Sequence, residues 1–140
     1  MNEPYGTSVT LSQAQHAAER ALAEARNNNW AMAVAVVDIA GLLVYFAKMD
    51  QTQNGSVTVA VDKARSAALF KRPTKAFQDT LAAGGDGLRV LRLTSAVPVE
   101  GGVPLLVGGA IVGAIGVSGG TSAQDGQCAD AGARALNESA

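Results

Sequence analysis

Glycine is concentrated in one apolar stretch of this chain, and no other feature restricts the possible fold as much. Residues 101–120 read GGVPLLVGGAIVGAIGVSGG and contain eight of the sixteen glycines. The apolar run from Val103 to Val117 is about fifteen residues long, shorter than the roughly twenty that a membrane-spanning helix needs. Glycine inside a strand usually marks a bulge or the close approach of another group. The stretch therefore predicts two strands, joined by a Gly108-Gly109 turn, against which a helix packs closely.

The glycine spacing is not that of a nucleotide-binding loop. Gly113-x-x-Gly116-x-x-Gly119 is neither the dinucleotide fingerprint nor the P-loop, and no Lys-Ser/Thr pair follows it. Ser118, Gly119 and Gly120 do precede a predicted helix, and the free amides at a helix N-terminus favour an anion. Ligand binding in this stretch is therefore expected at Ser118, Gly119 and Gly120.

Hydrophobic periodicity alternates between helix and strand along the chain. The predicted helices are Ser12–Arg26, Ser56–Phe70, Lys75–Ala83 and a last helix capped by Thr121 or Ser122, and the predicted strands are Ala31–Asp38, residues 42–50, Pro104–Val107 and Ala110–Ser118. Asp38 and Gly41 have the residue types of a hairpin turn between the first two strands. Residues 86–97 show no legible pattern. We predict a single α/β domain, residues 1–140, around a mostly antiparallel sheet.

Charge is nearly balanced over the whole chain but not along it. Eleven Lys and Arg face twelve Asp and Glu, so no overall field favours nucleic acid or an anionic membrane. Between Lys63 and Arg92, however, seven basic residues stand against two acidic ones. This segment is either a solvated basic face or a binding surface for a small anionic molecule.

Cysteine content and the chain start favour a cytoplasmic location. Cys128 is the only cysteine, so no disulfide forms within the chain. The start, MNEPYGTS, has neither the basic segment nor the apolar segment of a secretion signal.

Lys63 is a cation on an otherwise small and apolar helical face. Helical spacing places it in one stripe with Ser56, Ala60, Ala67 and Phe70. Its side chain either reaches along the surface to solvent or a carboxylate, or lines a pocket where it binds an acid group or acts as a base.

Glu100 is the preferred carboxylate partner for such a pocket. It lies between Pro98-Val99 and Gly101-Gly102, where glycine lets another backbone approach. Asp38 is more simply a turn residue, and Asp50 more simply ends its strand. We expect Lys63 and Glu100 to line one pocket beneath the glycine-rich strands, within salt-bridge or one-water reach of each other.

His16 is the only histidine and lies off the apolar stripe of the first helix. An isolated exposed histidine usually has no special role. The exception is a subunit interface, where histidines from several copies converge on a metal or on heme iron. One His and one Cys cannot build a conventional metal site within one chain.

Four separated motifs follow one another along nearly the whole chain: VVDIAGLLVYFAKMD, the helix SVTVAVDKARSAALF with the following KRPT, PVEGGVPL and VGAIGVSGG. In order and spacing they resemble the GlcG/HbpS-like family, which includes glycolate-locus proteins, heme-binding proteins and the C-terminal domain of PduO-type proteins. The resemblance implies a profilin-like or PAS-like fold, with a five-stranded antiparallel sheet flanked by helices, and assembly into higher homo-oligomers. It also implies that His16 matches the iron-binding histidine on the N-terminal helix of the PduO-type branch.

Two functions of different classes follow. The first is a cytoplasmic small-ligand-binding protein for heme or a related tetrapyrrole, with His16 as axial ligand of the iron and basic residues at the propionates. The second is a small enzyme or accessory factor for an anionic, carboxylate intermediate of organic-acid or aromatic catabolism. In the second, Lys63 holds the carboxylate, Glu100 is the acid or base, and the Gly119 and Gly120 amides bind developing negative charge.

Overall fold

The protein forms one antiparallel sheet between two helical layers. The structure is a computed structural model that describes residues 2–139 and the side chains of residues 2–137. Its elements, in chain order, are α1 (Leu11–Asn27), β1 (Ala33–Val37), β2 (Leu43–Lys48), α2 (Gly55–Phe70), α3 (Thr74–Ala82), a 3-10 helix (Gly85–Arg92), β3 (Gly102–Val107), β4 (Ala110–Ser118) and α4 (Ser122–Ser139). The sheet order is β2-β1-β4-β3, and all three pairings are antiparallel.

The sheet has four strands in the described residues, so the expectation of five is wrong. The four observed strands are those that the residue pattern located, and the fifth came only from the family resemblance. The segment around Tyr5 pairs with Ile111 of β4 in a single isolated bridge. The region without a legible pattern, 86–97, begins within the 3-10 helix, in which Leu88 and Leu91 are spaced three residues apart rather than alternating.

β1 divides its side chains between the two layers because successive residues of a strand point to opposite faces. Val34 and Val36 pack in one core with the alanine-rich faces of α1 and α4. Ala33, Ala35 and Val37 pack in a second core with α2. All five side chains of the strand are buried, which explains why its sequence is continuously apolar rather than alternating.

The glycines of β3 and β4 let α2 rest directly on the sheet backbone, as the sequence predicts. Gly102 and Gly116 are cross-strand partners on the face that α2 covers. A Cβ atom on Gly116 would collide with the carbonyl oxygen of Ala60 and would lie 2.6 Å from the amide nitrogen of Ala64. A Cβ atom on Gly102 would collide with the carbonyl oxygen of Lys63. The position of α2, and of Lys63 on it, therefore depends on these two glycines.

The hairpin turn between β1 and β2 is built as predicted. The Oδ1 atom of Asp38 accepts hydrogen bonds from the amides of Ala40 and Leu42, at 2.9 and 3.0 Å. Gly41 has a φ of +80°, a conformation that side chains disfavour.

Among the described helices, none is long and apolar enough to cross a membrane.

Replacing Gly116 by alanine should destabilise the protein strongly. The added methyl group would meet the α2 backbone, which cannot move without separating the helix from the sheet, and overpacking of this kind typically costs 1–3 kcal/mol or more. Gly55→Ala is the matched control, because a Cβ atom there meets nothing within 4 Å and alanine favours a helix. Chemical denaturation of both variants tests this. Equal stability of the two would contradict the backbone contact.

Candidate functional site

Lys63 forms a buried ion pair with Asp125. The lysine side chain is only 1% exposed, and its Nζ atom donates to Asp125 Oδ2 at 2.8 Å and to the carbonyl oxygen of Val117 at 3.0 Å. The carboxylate lies in the first turn of α4, and its Oδ1 atom accepts a hydrogen bond from the amide of Gly120 at 2.9 Å. The pair thus connects α2, the end of β4 and the start of α4.

Burial has the largest effect on the pKa of Asp125. Removing Asp125 from water raises the pKa of its carboxyl group, while the hydrogen bond and charge of Lys63 and the amides of Gly120 and Gly119 act in the opposite direction. The carboxylate therefore needs its partners, because a buried charge without one is strongly unfavourable.

The ion pair decides between the alternatives for Lys63 and corrects its expected partner. The side chain reaches a carboxylate rather than solvent, and this carboxylate belongs to Asp125 rather than to Glu100. The reason is the close packing of α2 on the glycines, which directs the side chain inward between β4 and α4. The sequence does carry one signal for the true partner, since Asp125 is acidic and lies in the first turn of the helix that follows Gly119-Gly120.

The predicted anion site at Ser118, Gly119 and Gly120 is filled by groups of the chain itself. The Gly120 amide is bonded to Asp125. The buried Ser118 hydroxyl donates to the hydroxyl of Ser56 at 3.1 Å. The N-terminus of α4 is capped by its own residues, because the Thr121 amide donates to Gln124 Oε1 and the Gln124 amide donates to Thr121 Oγ1. The negative charge next to this turn is the carboxylate of Asp125.

Glu100 borders a cavity of about 380 Å³ between α3, β3 and α4. Its lining residues are Pro73, Lys75, Ala76, Asp79, Glu100, Gly101, Gly102, Val103, Gly126 and Asp130. The Glu100 amide donates to Gln78 Oε1 at 2.8 Å. Its side chain lies across Gly126, where a Cβ atom would be 2.7 Å from the carboxyl carbon. Glu100 therefore lines a cavity, but not the expected pocket shared with Lys63, which is absent from the lining residues.

The cavity carries more negative than positive charge. Lys75 is the only basic lining residue, and its Nζ atom pairs with Asp79 at 2.9 Å, which raises the lysine pKa. Partial burial raises the pKa of Asp130, against the opposing charge of Arg134. Glu100 makes no hydrogen bond or ion pair through its carboxyl group within the described part of the chain. An anionic ligand would therefore be repelled here.

Lys63 lies directly behind the cavity but is separated from it by backbone. A Cβ atom on Gly101, one of the lining residues, would be 2.8 Å from Lys63 Nζ and 3.0 Å from the Cβ atom of Asp125. Gly101 has a φ of +131°, in the range that favours glycine. The sequence thus brings Lys63 and Glu100 near the same loop but on opposite sides of it.

His16 lies on the exposed face of α1, as predicted, and is not among the residues that line the Glu100 cavity. A shallow groove of about 260 Å³ between α1 and α4 contains Arg20, one helical turn from His16, together with Glu24 and Arg134.

Within residues 2–139, no group of three or more His, Cys, Asp and Glu side chains could hold a metal ion. Cys128 is buried, and burial raises the pKa of its thiol to about 12, so it is no nucleophile at neutral pH.

The fold and site define a class of α+β protein in which an antiparallel sheet is sandwiched between helices. A crystal structure of an HbpS double mutant from Streptomyces reticuli has this fold, with a TM-score of 0.85 and 31% sequence identity over 94% of this chain and 88% of that one. A structure of a PduOC:heme complex superposes with a TM-score of 0.83 over 94% and 96% of the two chains. At 24% identity, the second likeness concerns the fold alone.

Sequence comparison gives the family. The model of the family described as "Haem degrading protein HbpS-like" matches residues 9–134. Protein GlcG of Escherichia coli K12 is 40% identical over 114 residues, which are 80% of this chain and 84% of GlcG. The chain belongs to the GlcG/HbpS-like family, in agreement with its sequence motifs.

Lys63→Met should cost stability rather than ligand binding alone. It leaves Asp125 buried without its cation, and breaking a buried pair in this way typically costs about 3–5 kcal/mol. The double variant Lys63→Met, Asp125→Asn removes both charges and keeps an acceptor for the Gly120 amide, so it should be more stable than Lys63→Met. Urea denaturation of the wild type, both single variants and the double variant measures the coupling.

The pH dependence of Lys63→Met gives a second readout. Without the lysine, the pKa of Asp125 in the folded state should rise further above its unfolded value. The folded state then binds the proton more tightly, so this variant should lose stability, relative to wild type, as pH rises through the interval between the two pKa values. A pH-independent difference between the two proteins would contradict a charged Asp125.

Proposed function

We propose that this protein binds heme or a related tetrapyrrole, with His16 as axial ligand. One observation carries the proposal: residues 9–134, a range that includes His16, match the model of a family described as haem degrading. A protein of the same fold is known as a PduOC:heme complex, so the fold is compatible with heme binding. The location we propose is cytoplasmic.

The surroundings of His16 fit part of a heme site. The imidazole is exposed, and it makes no hydrogen bond or ion pair within the described residues, so a ring nitrogen is available to a metal. Arg20 and Arg134 in the adjoining groove outnumber Glu24, whose carboxylate already accepts a hydrogen bond from Gln127 at 2.6 Å. The two guanidinium groups would therefore bind the propionates. When bound, heme supplies the iron chemistry that the family description implies.

A second copy of the chain would complete this site. The helical face around His16 is exposed, whereas a heme buries most of its surface in an apolar environment. One chain offers the ligand and the basic groove but no enclosing wall on that face. We therefore propose that the protein is a homo-oligomer, with heme bound where two copies meet.

The alternative function, acid–base chemistry on an anionic carboxylate, has one observation in its favour. Glu100 borders a cavity with its carboxyl group unbonded, beside Asp130, whose pKa is raised, and a raised carboxyl pKa suits a general acid. The surrounding charge opposes an anionic substrate, and Lys63 is engaged by Asp125. Heme binding is therefore the function we propose.

Titration with hemin tests the role of His16. Wild-type protein should give a sharp Soret band, and His16→Ala should weaken binding at least tenfold or shift the band, because the iron loses a nitrogen ligand. Gln15→Ala, an exposed neighbour on the same helix, is the matched control and should behave as wild type. Identical spectra for His16→Ala and wild type would remove His16 from the site.

Light scattering tests the assembly. We expect a mass of at least two chains at micromolar concentration, and we expect the heme-loaded protein to be no smaller than the apoprotein. A monomer in both states would contradict a site shared between copies.

A further inference from the structure

We propose that the cavity beside Glu100 is a second binding site, separate from His16, for a primary alkylammonium ion. This goes beyond the heme proposal and does not depend on it. A volume of about 380 Å³ lies within the usual range of small-molecule pockets, roughly 300–1,000 Å³.

The carboxyl group of Glu100 packs against α4 but has no hydrogen-bond partner. The backbone amide of Glu100 donates to Gln78 Oε1 at 2.8 Å, and its side chain lies against the backbone of α4 at Gly126. Among the described residues, no side chain or amide hydrogen-bonds to the carboxyl oxygens. An unpaired carboxylate at the wall of a cavity is suited to an ammonium group, which offers three donors and a positive charge.

The sign of the charge selects the ligand class. Three carboxylates, those of Asp79, Glu100 and Asp130, border the cavity against the single ammonium group of Lys75, which Asp79 already pairs. The nearby charge of Lys63 is balanced by Asp125 behind the Gly101 backbone. The negative charge of the cavity therefore stabilises a bound cation and destabilises a bound anion.

An adjoining groove adds an apolar path for the body of the ligand. This groove, of about 260 Å³, shares Pro73, Val103 and Asp130 with the cavity and continues past Pro104, Leu106 and Ala133. Burying methylene groups there stabilises the complex, so affinity should increase with the length of the hydrocarbon chain. Arg134 borders the groove and disfavours a second positive charge at the far end of the ligand. The site should therefore prefer a monoamine with a hydrocarbon chain.

A titration with hexylammonium chloride, followed by amide chemical shifts of the full chain, tests the proposal. We expect saturable shifts at Gly101, Gly102 and Gly126, with weaker binding of butylammonium and of 1,6-hexanediammonium. Hexanol and hexanoate should give no comparable shifts, because they share the chain but lack the cation.

Variants assign the interaction to Glu100. Glu100→Gln should raise the dissociation constant of hexylammonium at least tenfold, whereas Asp86→Asn, which changes an exposed carboxylate outside the cavity, should leave it unchanged. His16→Ala should also leave it unchanged, so that the outcome is independent of heme binding. If Glu100→Gln disturbs the fold, Asp130→Asn, at an exposed position of the same cavity, serves in its place and should weaken binding. Unchanged affinity in these cavity variants, or equal binding of hexanol, would overturn the proposal.

Discussion

The contact between the α2 backbone and the backbone of β3 and β4 determines much of this structure. Gly102 and Gly116 carry no side chain between helix and sheet, so the helix lies closer than any other residue would allow. At that distance, a long side chain on the inner face of α2 has no route to solvent. The ammonium group of Lys63 is consequently enclosed, and its charge must be balanced by a carboxylate within hydrogen-bond distance. Asp125 supplies this carboxylate.

The enclosed pair decides which groups remain for ligands. It occupies the Gly120 amide, while Thr121 and Gln124 cap the N-terminus of α4, so neither group is left for an anion. Glu100, on the other side of the Gly101 backbone, stays unpaired and faces a cavity. The neutral, buried pair and the negative cavity are therefore separated by a single stretch of main chain. The residues that suggest an anion site in the sequence are thus engaged within the chain, and the carboxylates of Asp79, Glu100 and Asp130 border the cavity instead.

The sequence predicts the elements well because their signals are local. β4 begins and ends at the predicted residues, Ala110 and Ser118, and the Asp38 turn depends on side chains only a few positions apart. The partner of Lys63 depends instead on tertiary packing, since Asp125 lies 62 positions away. Residues 86–97 also escape prediction, because a 3-10 helix with exposed leucines has neither the helical nor the strand period. The place of Asp125 in the first turn of a helix is visible in the sequence, but its burial, which no local pattern reports, is not.

The sheet order has a consequence for the nascent chain on the ribosome. β1 lies between β2 and β4. β2 follows β1 directly in the chain, whereas β4 is synthesised much later. Until Ser118 has left the exit tunnel, β1 has one open edge and α2 has no glycine surface on which to pack. Until Asp125 follows, Lys63 must remain hydrated. Pairing over such sequence separations is slow. The sheet therefore stays incomplete, and α2 cannot pack on it, until β4 and the start of α4 have been synthesised.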